Sequence, residues 1–456
     1  MEFGFPELAA IRLGYGLSPH MKPPATADEL LAGVADAAPG PDAYTLQDAR
    51  DAWQKRKDLS DARDAGGEAE KMAYDDFGRE LGRMNWLDLQ RRTARAVDAH
   101  SGFGERLVQF WADHFTVRGN GAAQQPLVLS FVDEAIRPHL NGRFEDMLFA
   151  ADTHPMMLIY LNQNGSIGPN SPFRQRRPDR PLGLNENLAR EALELHSLGV
   201  GAGYSQQDVR ELAELLTGLA YNARNLEIFR PGMAEPGAET VLGKSYGGDG
   251  PASLDDIRAV FRDLARRPET AAHLARKLAA HFLSDDPDQG VVDAMAAVWR
   301  DTGGDLPQVY RVLVTHPALA DSFRQKARQP FDYIATSLRA LGVTGQQIMG
   351  FEQRDQNRFL VNPIQRMGQR WGTPSGPNGW PEEAEAWINP PALAARITWA
   401  MTVPRLLLPE LPDPRNLLDV ALGGTQSDAL AWAVPKAESQ REGVALILAS
   451  NDFNRR

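Results

Sequence analysis

Asn187, Arg190, Glu191 and Glu194 crowd one short stretch of the chain with groups that can do chemistry. On a helix, Asn187, Glu191 and Glu194 recur at i, i+4 and i+7 along one side, with Glu186, Arg190 and Glu194 as a second ladder beside them. Two carboxylates a turn apart can grip a hard divalent cation or share acid and base roles, and a guanidinium among them can hold an anion. These four are therefore the candidate catalytic residues. Leu188, Ala189, Ala192, Leu193 and Leu195 share the apolar arc, with His196 in its middle. His114 repeats the situation on a face with Leu107, Phe110 and Trp111, so Glu191, Glu194, His196 and His114 form the candidate His/carboxylate centre for a divalent metal. The structural alternative stays open: Arg190 ties to Glu186 and Glu194 between helices, and both histidines are satisfied core residues. The zinc-protease pattern, two histidines four apart on a helix, is absent.

A second cluster lies just before this helix. Arg174, Arg176, Arg177 and Arg180 concentrate positive charge in a long Gly/Pro-rich loop between Leu161 and Leu184. A loop of that length that delivers cations to a helix N-terminus suits a sulfate, phosphate or carboxylate ligand and could act as a lid; a solvated flexible loop is the alternative.

The elements that must position these residues read as helices. Periodic apolar patterns run from Asp28 to Leu140, Phe144 to Leu161, Gln206 to Leu219, Leu254 to Ala320 and Pro330 to Leu341. The chemistry-bearing helix itself is expected to run about four turns, from Asn185 as N-cap to Gly199 as C-cap. Ser205 and Asp208 read as a capping box. Glu227 to Arg230 and Thr240 to Gly243 flank a Gly/Pro-rich turn, which predicts one β-hairpin near residues 226–246. The Gly-, Pro- and Trp-rich stretch from Gly368 to Pro391 reads as an ordered loop packed by Trp371, Trp380 and Trp387. Thr153-His154-Pro155 and Thr315-His316-Pro317 each follow an apolar run. They point either to two loosely related helical halves, about 1–225 and 250–456, or to helix starts with Thr as N-cap. The expected architecture is mainly α, a multi-helical bundle-like body with a small hairpin insertion, in a single large domain over residues 1–456.

Composition narrows the function classes. The 456 residues carry 60 acidic and 49 basic side chains, and a net charge of −11 disfavours a nucleic-acid partner. No apolar run approaches the roughly 18–20 residues a membrane span needs. Without cysteine there is no disulfide, thiolate metal site or cysteine nucleophile. Met1-Glu2-Phe3-Gly4-Phe5-Pro6 lacks the features of a signal peptide, so the expected location is cytoplasmic, or periplasmic by co-export. Phosphate loops, serine elbows and dinucleotide fingerprints are missing from the sequence.

The stretch Gly183-Leu184-Asn185-Glu186-Asn187-Leu188-Ala189-Arg190-Glu191-Ala192-Leu193-Glu194-Leu195-His196-Ser197-Leu198-Gly199-Val200 closely resembles the signature of the bacterial family catalogued as domain of unknown function 1800. Further similar segments are Phe110-Trp111-Ala112-Asp113-His114-Phe115, His154-Pro155-Met156-Met157-Leu158, Gly203 to Val209, Asn378-Gly379-Trp380-Pro381 and Leu448 to Phe453, which together span nearly the whole chain. The resemblance supplies no catalytic residues. It implies an envelope role beside a sulfatase-like protein partner, since members are often exported and encoded next to such proteins. Many relatives carry a His-Asp pair in the hairpin, where this chain reads Met233-Ala234-Glu235-Pro236-Gly237, so a site built on that pair would be absent. Two function classes follow: an enzyme or ligand-binding protein acting on an anionic or polyhydroxy substrate, or a non-catalytic maturation or scaffold partner of a sulfatase-like hydrolase.

Overall fold

In the computed structural model, which describes residues 4–181 and 183–456, helices dominate and the only sheets among those residues are two antiparallel pairs. The helices assemble two main hydrophobic cores. The first draws its buried residues from Ala9 to Leu319 and centres on the Phe103–His114 helix, whose Trp111 donates its indole N–H to the Tyr310 hydroxyl at 2.7 Å. The second gathers Tyr15, the C-terminal part of the Glu68–Asp98 helix, and residues from Phe331 to Phe453. That 31-residue helix also carries Phe77, Leu81 and Met84 into a smaller cluster with Leu129. Each core excludes water from a surface far larger than a single helix pair could cover, and this burial drives the fold.

Two hairpins stand where one was expected. Glu227–Phe229 turns back onto Leu219–Asn222, while Pro236–Val241 pairs with Lys244–Pro251. The reason is local. Leu242 and Gly243 both take positive φ, 52° and 81°, which makes the two-residue turn whose twist suits a hairpin, and Val241 faces Lys244 across it. Thr240 is therefore committed to a strand that follows it rather than to Glu227.

The signature helix is also shorter than its periodicity predicts, spanning Asn187–Glu194. Asn185 caps it from two residues upstream, its Oδ1 accepting the Asn187 N–H at 2.8 Å. At the other end the N–H groups of both Leu195 and His196 reach the Glu191 carbonyl, and Ser197 Oγ donates to the Ala192 carbonyl at 2.5 Å. This wide turn swings His196 inward before Gly199, at φ 94°, reverses the chain against His273. The Thr-His-Pro repeats are helix starts, but the histidine does the capping. His154 Nδ1 accepts from the Met156 N–H at 3.1 Å and His316 Nδ1 from the Ala318 N–H at 3.2 Å, while each threonine hydroxyl bonds back into the preceding helix. The Ser205–Asp208 capping box forms as read. No helix among the described residues is long and apolar enough to cross a membrane.

Candidate functional site

The signature helix does not gather its polar residues into one centre. Asn187 is exposed. Arg190 donates to Glu186 at 3.2 Å and to the Gln206 amide at 3.1 Å, the structural tie that the ladder spacing offered. Glu194 hydrogen-bonds the Tyr204 hydroxyl, and Glu191 sits half-buried, its carboxyl raised above the usual range by burial and then by the charges of Glu194 and Asp152.

His196 and His114 are brought together, at 6.1 Å between ring centroids, yet not as metal ligands. His196 Nδ1 lies 2.8 Å from Oδ1 of the fully buried Asp152. His114 donates from Nε2 to the His196 carbonyl, which fixes its tautomer, so Nδ1 is left to accept from the Lys277 ammonium at 3.0 Å. Both nitrogens of His114 are spent. Among the described residues no group of three or more His, Asp or Glu is placed to hold a metal ion, so the set Glu191, Glu194, His196 and His114 does not fit one.

Nor do the four arginines converge. Arg174 donates to the carbonyls of Arg177 and Pro178 within its own loop, Arg177 stacks on Phe173 at 4.0 Å, and Arg176 and Arg180 are exposed. The loop is pinned rather than swinging: Phe173 packs with Ile167 and Met233, and the Asn170 side chain donates to Glu235 at 2.5 Å.

A concave site with polar groups lies elsewhere, in the seam between the two cores. A cleft of about 100 Å³ opens there, walled by Asp113 and Gln109 from one core, Phe331, Asp332 and Gln369 from the other, and Trp371 and Trp380 from the long loop. The Phe103–His114 helix carries Asp113 at its last turn, and both Asp113 oxygens accept the Trp380 backbone N–H, at 2.9 and 3.1 Å. Gly379 makes this approach possible: a Cβ there would meet Asp113 Oδ2 at 2.5 Å, and its φ of 80° suits glycine.

The other cleft charges are committed. Asp88 takes the Arg92 guanidinium at 3.2 Å and the Trp371 indole N–H at 3.1 Å. Asp332 takes Arg456 at 2.8 Å, with Arg106 at 3.5 Å. His281 donates from Nδ1 to Glu382 at 2.6 Å and accepts from Arg106 at Nε2, and Glu382 is held well below the usual carboxylate range because His281 and Lys326 more than offset its burial. Asp113 alone among the cleft carboxylates has no cation within ion-pair distance among the described residues. Burial pushes it up to about 7, with the nearby charge of Glu382 adding to the shift and Trp380 and Lys277 opposing it. The arrangement can therefore hold a small polar molecule against aromatic faces and exchange a proton with it at Asp113.

Sequence reading missed this site although it had both halves in hand, Asp113 inside Phe110 to Phe115 and Trp380 inside Asn378 to Pro381. They lie 267 residues apart, and a local pattern carries no trace of such pairing. The one available signal was the Asn-Gly-Trp-Pro turn, too ordered in composition for a linker.

No curated protein and no solved structure matches the chain. The model of the family described as protein of unknown function (DUF1800) matches residues 9–455, and the chain belongs to that family.

Proposed function

We propose that the seam cleft binds a small neutral polyhydroxy molecule, about the size of one sugar ring, with Asp113 as the proton-transfer group. The observation that carries this reading is the lining itself: Trp371 and Trp380 beside Gln109, Gln369, Asn85 and an Asp113 without an ion pair among the described residues. Aromatic faces take the apolar side of such a ring, and amides and carboxylates take its hydroxyls. An anionic substrate is less well served, because Arg92 is already neutralised by Asp88 and no other guanidinium or ammonium lines the cleft among the described residues. The volume argues for size, since it falls below the roughly 300 Å³ at which pockets for drug-sized ligands begin.

Saturation-transfer NMR of the full chain with D-glucose, D-galactose, D-mannose and N-acetylglucosamine tests the reading. At least one sugar should bind, Trp380→Ala should weaken it about tenfold or more, and Asp113→Asn should leave binding within a few-fold while removing any proton-transfer chemistry found with that sugar. Absence of binding at about 10 mM of every sugar, or binding indifferent to Trp380→Ala, would sink it.

A further inference from the structure

On the far face of the second core, the Pro390–Thr402 and Gln440–Ala449 helices and the short Asp428–Ala433 helix enclose an open trough of about 820 Å³. Ile397 and Met401 form one wall, Ala433 the other, and Ala445, Leu446 and Ala449 the floor. The alanines leave it without bulk. Beside it, on the same short helix that supplies Ala433, Trp432 stands 67% exposed, and Ile397 and Leu446 are also exposed.

We propose that this face joins two copies of the chain in a twofold dimer. A twofold interface must be complementary to itself, because the same patch meets its own copy. Here the projection and the recess occur side by side: a twofold rotation seats each Trp432 in the trough of the other copy. The charges obey the same requirement. Lys436 Nζ lies 3.3 Å above the Trp432 ring at the edge of the trough, which Glu438 and Glu442 also line without an ion pair among the described residues. Docking the indole brings Lys436 of one copy to Glu438 and Glu442 of the other. An anionic lipid surface fits worse, since those carboxylates would face its headgroups.

Sedimentation velocity and light scattering of the full chain at about 1–100 µM in physiological salt test this directly. The expected mass is twice 50.2 kDa. Trp432→Ala and Leu446→Glu, both at exposed positions, should each raise the dissociation constant about tenfold or more with the far-UV circular dichroism unchanged. Lys436→Glu should weaken the dimer as well, and adding Glu442→Lys should restore it. A wild type that is monomeric at about 100 µM, a dimer indifferent to Trp432→Ala and Leu446→Glu, a charge swap that fails to restore association, or a different protein bound at this face of a monomer would each overturn the proposal. None of these outcomes bears on sugar binding in the cleft.

Discussion

Glu105 shows what single residues contribute. It is buried, yet it accepts two hydrogen bonds from Arg137, at 2.8 and 3.0 Å, and one from Arg95 at 2.8 Å. Burial alone would raise its carboxyl; the two guanidiniums outweigh that and hold it below the usual value of 4.5. Removing the charge leaves Arg137 buried with a weaker partner, so Glu105→Gln should cost about 3–5 kcal/mol in urea unfolding at pH 7. The sign with pH follows from the depressed pKa. The stabilisation is complete above about 4.5 and is lost as pH falls through the lower folded value, so wild type and variant should converge in acid. An unchanged gap at pH 3 would place the cost in packing instead. Contacts of this kind were illegible in the sequence, for Glu105 and Arg137 look like any surface charges until the fold brings them together.

At the scale of elements, local rules were legible wherever a few neighbouring residues settle the matter, as in the Ser205–Asp208 box. They misled where tertiary contacts intervene. Gly199, expected as the C-cap, does reverse the chain at φ 94°, but the helix before it stops early with Leu195 as its C-cap, and His196 turns in toward Asp152 inside the core. The histidine caps carry a test. His316→Ala should cost about 1 kcal/mol, and His316→Asn should recover most of it, since Asn also accepts from a helix's first N–H groups; equal losses in the two variants, read from thermal midpoints, would assign the cost to packing. Gly379 carries another. Gly379→Ala forces a methyl group onto Asp113 from a backbone conformation that already costs about 1–2 kcal/mol with a side chain, so the Trp380 loop should shift and the tryptophan fluorescence with it. A native spectrum in that variant would mean that the Asp113–Trp380 contact is loose.

For the whole molecule, the mainly helical class was readable from periodicity, whereas the division of labour between the two cores was not, because Tyr15, near the start of the chain, packs into the core built from Phe331 onward. Their joint is electrostatic. Arg12, Arg106, Arg328, Arg396 and Arg456 are all fully buried, and most of their donors end on backbone carbonyls of distant segments. Asp332 is the carboxylate that Arg106 and Arg456 share. Asp332→Asn should therefore loosen the joint before either core melts, so that circular dichroism and tryptophan fluorescence, coincident in the wild type, separate during unfolding. Coincident transitions in the variant would show that the apolar surfaces alone hold the cores together.

This joint also imposes an order in time. Arg12 donates to the carbonyl of Arg456, 444 residues further along, at 2.5 Å. A ribosome adding about 5–20 residues per second takes roughly 20–90 s to make that stretch. The first core has all its residues once Leu319 has emerged, and it must then wait with Arg12 and Arg106 unsealed until the second core arrives. The cleft, whose lining reaches to Trp380 and draws on both cores, cannot be complete when the first core is.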